Sequence, residues 1–344
     1  MSARPRVCVL HVGGTIGMVR TATGFEPQPG FLQRYIAAMP EMDRPELPAH
    51  DVVILEPLLD SADMAPEDWL RIAAAIVARY EDYAGFVVVH GTDTMAYTAS
   101  ALSFLLPQLA KPVILTGSQL SLENVRSDGR EHIITAILLA GTLAVPEVCI
   151  YFASRLLRGN RAQKIHNHDF VAFDSGNLPP LASVGVSVDL ATHLVRAPGT
   201  GKLVAPALRC VPHVASLRLF PGVAARLLEQ VLAAPLQGLV LETYGVGNAP
   251  SRDPALLAAI SAATSAATGR DVVVVNCSQC HGGSVKQTLY STGAALARCG
   301  VISGRDMTPE AALTKLYCLL AAGLSPAQVR ARMQEDLAGE LEAG

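Results

Sequence analysis

Apolar residues along this chain fall in two rhythms. Short continuous runs, rich in β-branched residues, occupy Val7–Val12, Asp51–Leu55, Phe86–Val89, Pro112–Leu115 and Glu147–Phe152. Between them lie longer segments with apolar positions every three to four residues: Phe31–Met39, Pro66–Tyr80, Thr94–Leu106 and about Asp128–Thr142. A continuous apolar run bounded by turn residues reads as a strand buried on both faces, and the longer rhythm reads as a helix. Their alternation predicts an α/β fold, a mostly parallel sheet flanked by helices. Arg20–Pro29, rich in Thr, Gly and Pro, is expected to be a long flexible loop of the kind that forms lids. From Gly176 to Pro212 the rhythm fades. A second, shorter series follows, with strands over Val214–Leu219, Gly238–Glu242 and Asp271–Asn276. Helices are expected over Gly222–Ala234 and Pro254–Ala267, then a mostly helical remainder including Thr308–Ala321 and Pro326–Leu337. The expected organisation is a larger N-terminal α/β domain over 1–195, a linker over 196–213 and a smaller C-terminal α/β domain over 214–344.

In open α/β sheets, ligands collect beyond the carboxyl ends of the strands, so the residues there carry the functional signal. The first strand breaks at Gly13-Gly14 and delivers the hydroxyl of Thr15. The Phe86 strand runs into His90-Gly-Thr-Asp-Thr94, presenting Thr92 and Asp93. The Asp51 strand leads to Asp60 and Ser61, and the Pro112 strand ends in Thr116-Gly-Ser-Gln119 with Ser118. Strand-Gly-Gly-Thr alone also describes a phosphate-binding turn or a plain βα loop, although neither a P-loop nor a dinucleotide fingerprint is present. Ser61 or Asp63 also reads as a cap for the Pro66 helix. Arg158-Gly-Asn-Arg-Ala-Gln-Lys164 is polar and reads either as a solvated loop or as the source of a partly desolvated lysine that accepts a proton among the hydroxyls.

Composition narrows the classes. Of 344 residues, half are hydrophobic and 17% charged, which fits a globular enzyme rather than a disordered or fibrous chain. A net charge of −3 with interspersed signs gives no footprint for nucleic acid. No run is long enough for a membrane span, and the start lacks the features of a signal peptide. Of seven cysteines, Cys8, Cys149, Cys210 and Cys318 are expected in the core. Cys277-Ser-Gln-Cys280 has redox spacing but no second pair. A reduced, cytoplasmic setting fits best. His166 and His168 are too few for a metal site, so no metal and no cofactor is expected.

Thr15, Thr92, Asp93 and Lys164 in one cleft would suit acyl transfer from an amide or ester to water. A hydroxyl nucleophile needs a base, and a lysine balanced by a carboxylate serves; backbone amides at the strand ends would hold the oxyanion. At this point the motifs resemble a family. Gly13-Gly-Thr-Ile-Gly17, Asp60-Ser-Ala-Asp-Met64, His90-Gly-Thr-Asp-Thr-Met95, Thr116-Gly-Ser-Gln119, Arg158-Gly-Asn-Arg161 with Lys164, and Tyr244-Gly-Val-Gly-Asn248 are similar to the signature stretches of bacterial-type L-asparaginases. The likeness is to the cytoplasmic type I branch and spans nearly the whole chain in order. It implies a cofactor-free hydrolase that converts L-asparagine to L-aspartate and ammonia. Thr15 would be the nucleophile, and Thr92, Asp93 and Lys164 the second catalytic group. The substrate would lie against Gly14, Asp60, Ser61, Ala62, Gly91, Thr92, Asp93 and Ser118. The family works as a homodimer, commonly paired into a homotetramer, with Asn248 reaching the partner's site.

The chain departs from that pattern in three places. Phe25 stands where the family has a tyrosine that helps activate the first threonine; the resemblance offers Tyr290 in its place. Gln163 and Glu242 replace a threonine and an arginine of the allosteric asparagine site, which predicts hyperbolic kinetics. Ala62 is small and apolar, leaving contact there to the backbone. Weak glutaminase activity is expected, because one methylene is poorly discriminated. An amidotransferase subunit acting on aminoacyl-tRNA shares the core but carries a preceding domain. A catalytically weak amino-acid sensor on the same scaffold is the reading that Phe25 keeps open.

Overall fold

The first apolar run forms a strand, Arg6–Gly13, buried from Val7 onward. In this computed structural model, which describes residues 4–22, 24–205 and 207–342, that strand lies inside an eight-stranded sheet. The order across the sheet is Val188–Leu190, Ala182–Val184, Arg155–Arg158, Val148–Phe152, Val113–Thr116, Gly85–Val89, Arg6–Gly13 and Ala49–Leu59. The last five run parallel; the first three are antiparallel additions. Alternate residues Val7, Val9, Val87, Val89 and Ile114 face Ile133, Ala136 and Ile137 of the helix Gly129–Thr142. Their neighbours Cys8, Leu10, Phe86, Val88 and Leu115 point the other way and are equally buried. The helix Met95–Leu105 packs on the strands Val113–Thr116 and Val148–Phe152. Burial of both faces is why these strands read as unbroken apolar runs.

The chain divides after residue 206 into two compact units. The second holds a four-stranded parallel sheet in the order Val214–Arg218, Gly238–Thr243, Val273–Ser278 and Ile302–Ser303. Leu239, Leu241 and Val274 pack with Leu228, Leu256, Ile260 and Leu296 from the helices Ala225–Val231, Pro254–Thr264 and Ser291–Arg298. Val240, Val273 and Val275 pack with Leu316, Leu320, Val329 and Met333 from the helices Pro309–Ala321 and Pro326–Met333. Each unit is thus α/β, the larger one with a mostly parallel sheet. No helix among the described residues is long and apolar enough to cross a membrane.

Five expectations change. The stretch 20–29 is not simply a loop: Met18–Arg20 and Phe25–Pro27 form an antiparallel hairpin, with Arg20 opposite Phe25. Neither Ser61 nor Asp63 caps the helix Pro66–Val77; Asp68 does so from within, accepting the Ala65 N–H at 3.0 Å. The polar segment 158–164 is no solvated loop, because Arg158, Asn160 and Arg161 are buried. The aperiodic region conceals two short strands, Ala182–Val184 and Val188–Leu190. Cys210 is exposed, its thiol donating to the Leu320 carbonyl at 3.3 Å.

Candidate active site

Register places the functional loops on one edge. In the parallel sheet Gly13 pairs with Leu59, and Val89 pairs with both His11 and Thr116. Thr15, Asp60, Thr92 and Ser118 therefore all follow strands that end level with one another. The loops approach one another closely at glycines. A Cβ on Gly14 would lie 2.3 Å from the Gly91 nitrogen, one on Gly91 2.4 Å from the Ser61 Oγ, and one on Gly117 2.3 Å from the His90 carbonyl oxygen. Gly14 has φ +92°, a conformation that suits glycine alone among the common residues. Glycine at these positions lets the strand-end loops close on each other.

The half-buried Thr15 opens a single 3-10 turn, Thr15–Gly17. Lys164 lies on the two-residue strand Gln163–Lys164, paired with Phe173–Asp174. Its Nζ donates to the Thr92 Oγ1 at 2.8 Å and to the Asp93 Oδ1 at 2.6 Å. Thr92 is buried while the Asp93 side chain is 61% exposed, so the Lys164 Nζ bridges an inner hydroxyl and an outer carboxylate. The exposed Asp60 accepts the Ala62 N–H at 3.0 Å, which shapes the short turn holding the buried Ser61. Thr94 ties the two loops by donating to the Ser61 carbonyl at 2.8 Å. The Ser118 hydroxyl donates to the Leu120 carbonyl at 2.6 Å, leaving its oxygen free to accept.

Gly14, Ser61, Gly91, Thr92, Asp93, Ser118 and Lys164 thus lie along one edge, with Thr15 next to Gly14 and Ala62 next to Ser61. Tyr290 and Asn248 belong to the second unit. Tyr290 is exposed and immediately precedes the helix Ser291–Arg298, whose Thr292 donates to the Asn248 Oδ1 at 2.8 Å. Phe25 is exposed on the hairpin under the Arg20 guanidinium, 5.4 Å from the ring centre. Cys277 is fully buried and its thiol is pushed far up by desolvation, so it is poor as a thiolate. No group of three or more His, Cys, Asp or Glu among the described residues is placed to hold a metal ion. His90 and His132, both buried behind these loops, were not singled out by sequence pattern; a histidine closing an apolar strand was the available signal for His90.

Chemically, a hydroxyl beside an amine that can take its proton, with a carboxylate to balance the charge, is equipped for acyl transfer. The N-terminal asparaginase family model matches residues 6–196, and the glutaminase/asparaginase C-terminal domain model matches residues 213–333. L-asparaginase 1 of Escherichia coli (strain K12) is 46% identical over 335 residues, spanning 97% of each chain. The crystal structure of L-asparaginase I from Vibrio cholerae superposes with a TM-score of 0.89 at 44% identity, over 99% of this chain and 100% of that one. The thermostable L-asparaginase from Thermococcus kodakarensis gives a TM-score of 0.86 at 33% identity, over 98% and 100%.

Fold and matches together define an α/β amidohydrolase. The chain belongs to the asparaginase family, and its resemblance to the type I enzymes extends over nearly its whole length.

Proposed function

We propose that this protein hydrolyses the side-chain amide of L-asparagine to L-aspartate and ammonia, with Thr15 as the nucleophile. The observation that carries the reading is the Lys164 Nζ held between Thr92 and Asp93, whose loop meets Gly14 through the Gly91 backbone. Thr15 Oγ1 attacks the amide carbon, its proton leaves with the ammonia, and an aspartyl ester forms. Lys164, as the free amine and acting through Thr92, then takes a proton from water and becomes the ammonium that Asp93 balances. The hydroxide adds to the ester carbon, and Thr15 leaves with a proton restored. Strand-end backbone amides stabilise the oxyanion in each step. Asp60, Ser61 and Asp93 hold the α-ammonium and α-carboxylate, Ala62 contributes backbone, and Ser118 lines the amide end.

The reaction needs no cofactor. Tyr290 is the hydroxyl proposed to assist Thr15 where Phe25 cannot, acting in a homodimer or homotetramer in which Asn248 reaches the partner's site. Hydrolysis of L-glutamine is expected as a weaker side activity, because one methylene is worth only about 1–3 kcal/mol in binding. Asparagine kinetics are expected to be hyperbolic, with Gln163 and Glu242 in place of the effector-binding pair. The cytoplasm is the proposed location, in keeping with seven free cysteines.

The test is ammonia release from L-asparagine and L-glutamine at neutral pH by wild type, Thr15→Ala and Tyr290→Phe. Wild type should turn over asparagine faster than glutamine. Thr15→Ala should lose roughly 10³-fold or more in kcat, and Tyr290→Phe about 10²-fold. A wild-type protein that binds asparagine but releases no ammonia would overturn the hydrolase reading, and a fully active Tyr290→Phe would remove that residue from the mechanism.

A further inference from the structure

Two histidines behind the site make the same bond to equivalent atoms. His90, which follows the strand Gly85–Val89 and is fully buried, places Nδ1 2.7 Å from the Gly91 carbonyl oxygen. Its Nε2 lies 2.9 Å from the Oγ1 of Thr98, a buried residue of the helix Met95–Leu105. His132, buried on the helix Gly129–Thr142, places Nδ1 2.8 Å from the Gly117 carbonyl oxygen, and its Nε2 accepts the Ala153 N–H at 3.1 Å. The carboxylates of Asp128 and Glu131 stand 3.7 Å from its Nδ1 and Nε2.

A carbonyl can only accept, so the hydrogen sits on Nδ1 in both rings; a backbone N–H donated to the His132 Nε2 requires a lone pair there. Burial also pushes the His90 imidazolium down to about 4, which keeps that ring neutral. The peptide group is planar and trans, so fixing the Gly91 C=O aims the Thr92 N–H in the opposite direction, and fixing the Gly117 C=O does the same for the Ser118 N–H.

We propose that His90 and His132 are positioning residues. Each Nδ1–H anchors a strand-end glycine carbonyl to a helix behind the sheet and so orients the peptide carrying Thr92 or Ser118 toward the amide being hydrolysed. The kinetic side of this proposal rests on the asparaginase reading; the hydrogen-bond side does not.

The test compares His90→Asn with His90→Gln, and His132→Asn with His132→Gln. Asparagine places its side-chain nitrogen near the Nδ1 position, whereas glutamine places it near Nε2. The Asn variants should lose no more than about threefold in kcat. The Gln variants should lose about 10²-fold in kcat with KM changed less than about threefold, the scale on which a misplaced reacting group is felt. Parallel losses in Asn and Gln variants that simply follow Tm would overturn the proposal. Imidazole ¹⁵N spectra of the wild-type protein give a readout independent of activity and of whether the Gln variants fold. Nδ1–H tautomers at both positions are expected, and an Nε2–H tautomer at either one overturns the assignment for that residue. A wild type inactive on L-asparagine would sink the substrate reading and leave the tautomer result to decide this one.

Discussion

The threonines of the site were legible because each directly follows an apolar run that could be little other than a buried strand. Lys164 was less so. Its segment looks polar and solvated, yet Arg158 is buried in an ion pair with Glu147 at 2.5 Å and also donates to the Leu194 carbonyl at 2.7 Å. Polar composition disguises a buried segment when its charges are satisfied internally. Gly14 makes the sharpest test at this scale. An alanine there would combine a positive φ with a Cβ driven into the His90–Gly91 backbone. Gly14→Ala should destabilise the protein by about 2–4 kcal/mol, the sum of left-handed strain and overpacking. Urea unfolding measures it, and a change below about 0.5 kcal/mol would show that the loops are not held as described.

Among elements, those with long or unbroken patterns were read from sequence and the short ones were not. The hairpin strands Met18–Arg20 and Phe25–Pro27 and the fourth parallel strand Ile302–Ser303 span three residues or fewer. Two or three residues cannot display an alternation, so only tertiary pairing defines them. The helix Pro309–Ala321 was expected, but not what it holds. Lys315 is wholly buried, donating to the Glu340 Oε1 at 2.6 Å and to the Met333 and Glu335 carbonyls at 3.2 and 2.6 Å. Desolvation lowers the Lys315 pKa, opposed chiefly by the Glu340 charge. Glu340 also accepts the Leu337 and Ala338 N–H groups at 3.0 and 2.7 Å. Lys315→Met should cost about 3–5 kcal/mol by leaving a buried carboxylate without its cation. Lys315→Met with Glu340→Gln should cost clearly less than the two single changes added together; simple additivity in a double-mutant cycle would contradict the coupling.

For the molecule as a whole, the alternation of runs and helices disclosed two α/β units, because burying both sheet faces imposes that pattern on most of the chain. Its acid response was not visible in composition. His11 and His90 are both buried, and desolvation lowers each from 6.5 to about 4. Between those values the unfolded chain binds a proton at each position and the native protein does not. Stability is therefore full above about pH 6.5, falls as pH drops toward 4, and gains no further loss from these groups below that. Each contributes on the order of 1 kcal/mol per pH unit within the window. Unfolding free energies measured from pH 7 to 4.5 should show this slope, and His11→Gln should reduce it by about one proton. An unchanged slope would mean that His11 is protonated in the native protein.

The junction of the strand-end loops is made where their peptide groups meet, Gly14 on Gly91 and Gly117 on His90. The spacing across it is set by the thickness of a polypeptide backbone, a ruler that no exchange of side chains can re-mark. Laboratory evolution toward longer or bulkier amides would have to work away from this junction, on exposed residues such as Ala62 and the Phe25 hairpin, and would leave its glycines unaltered.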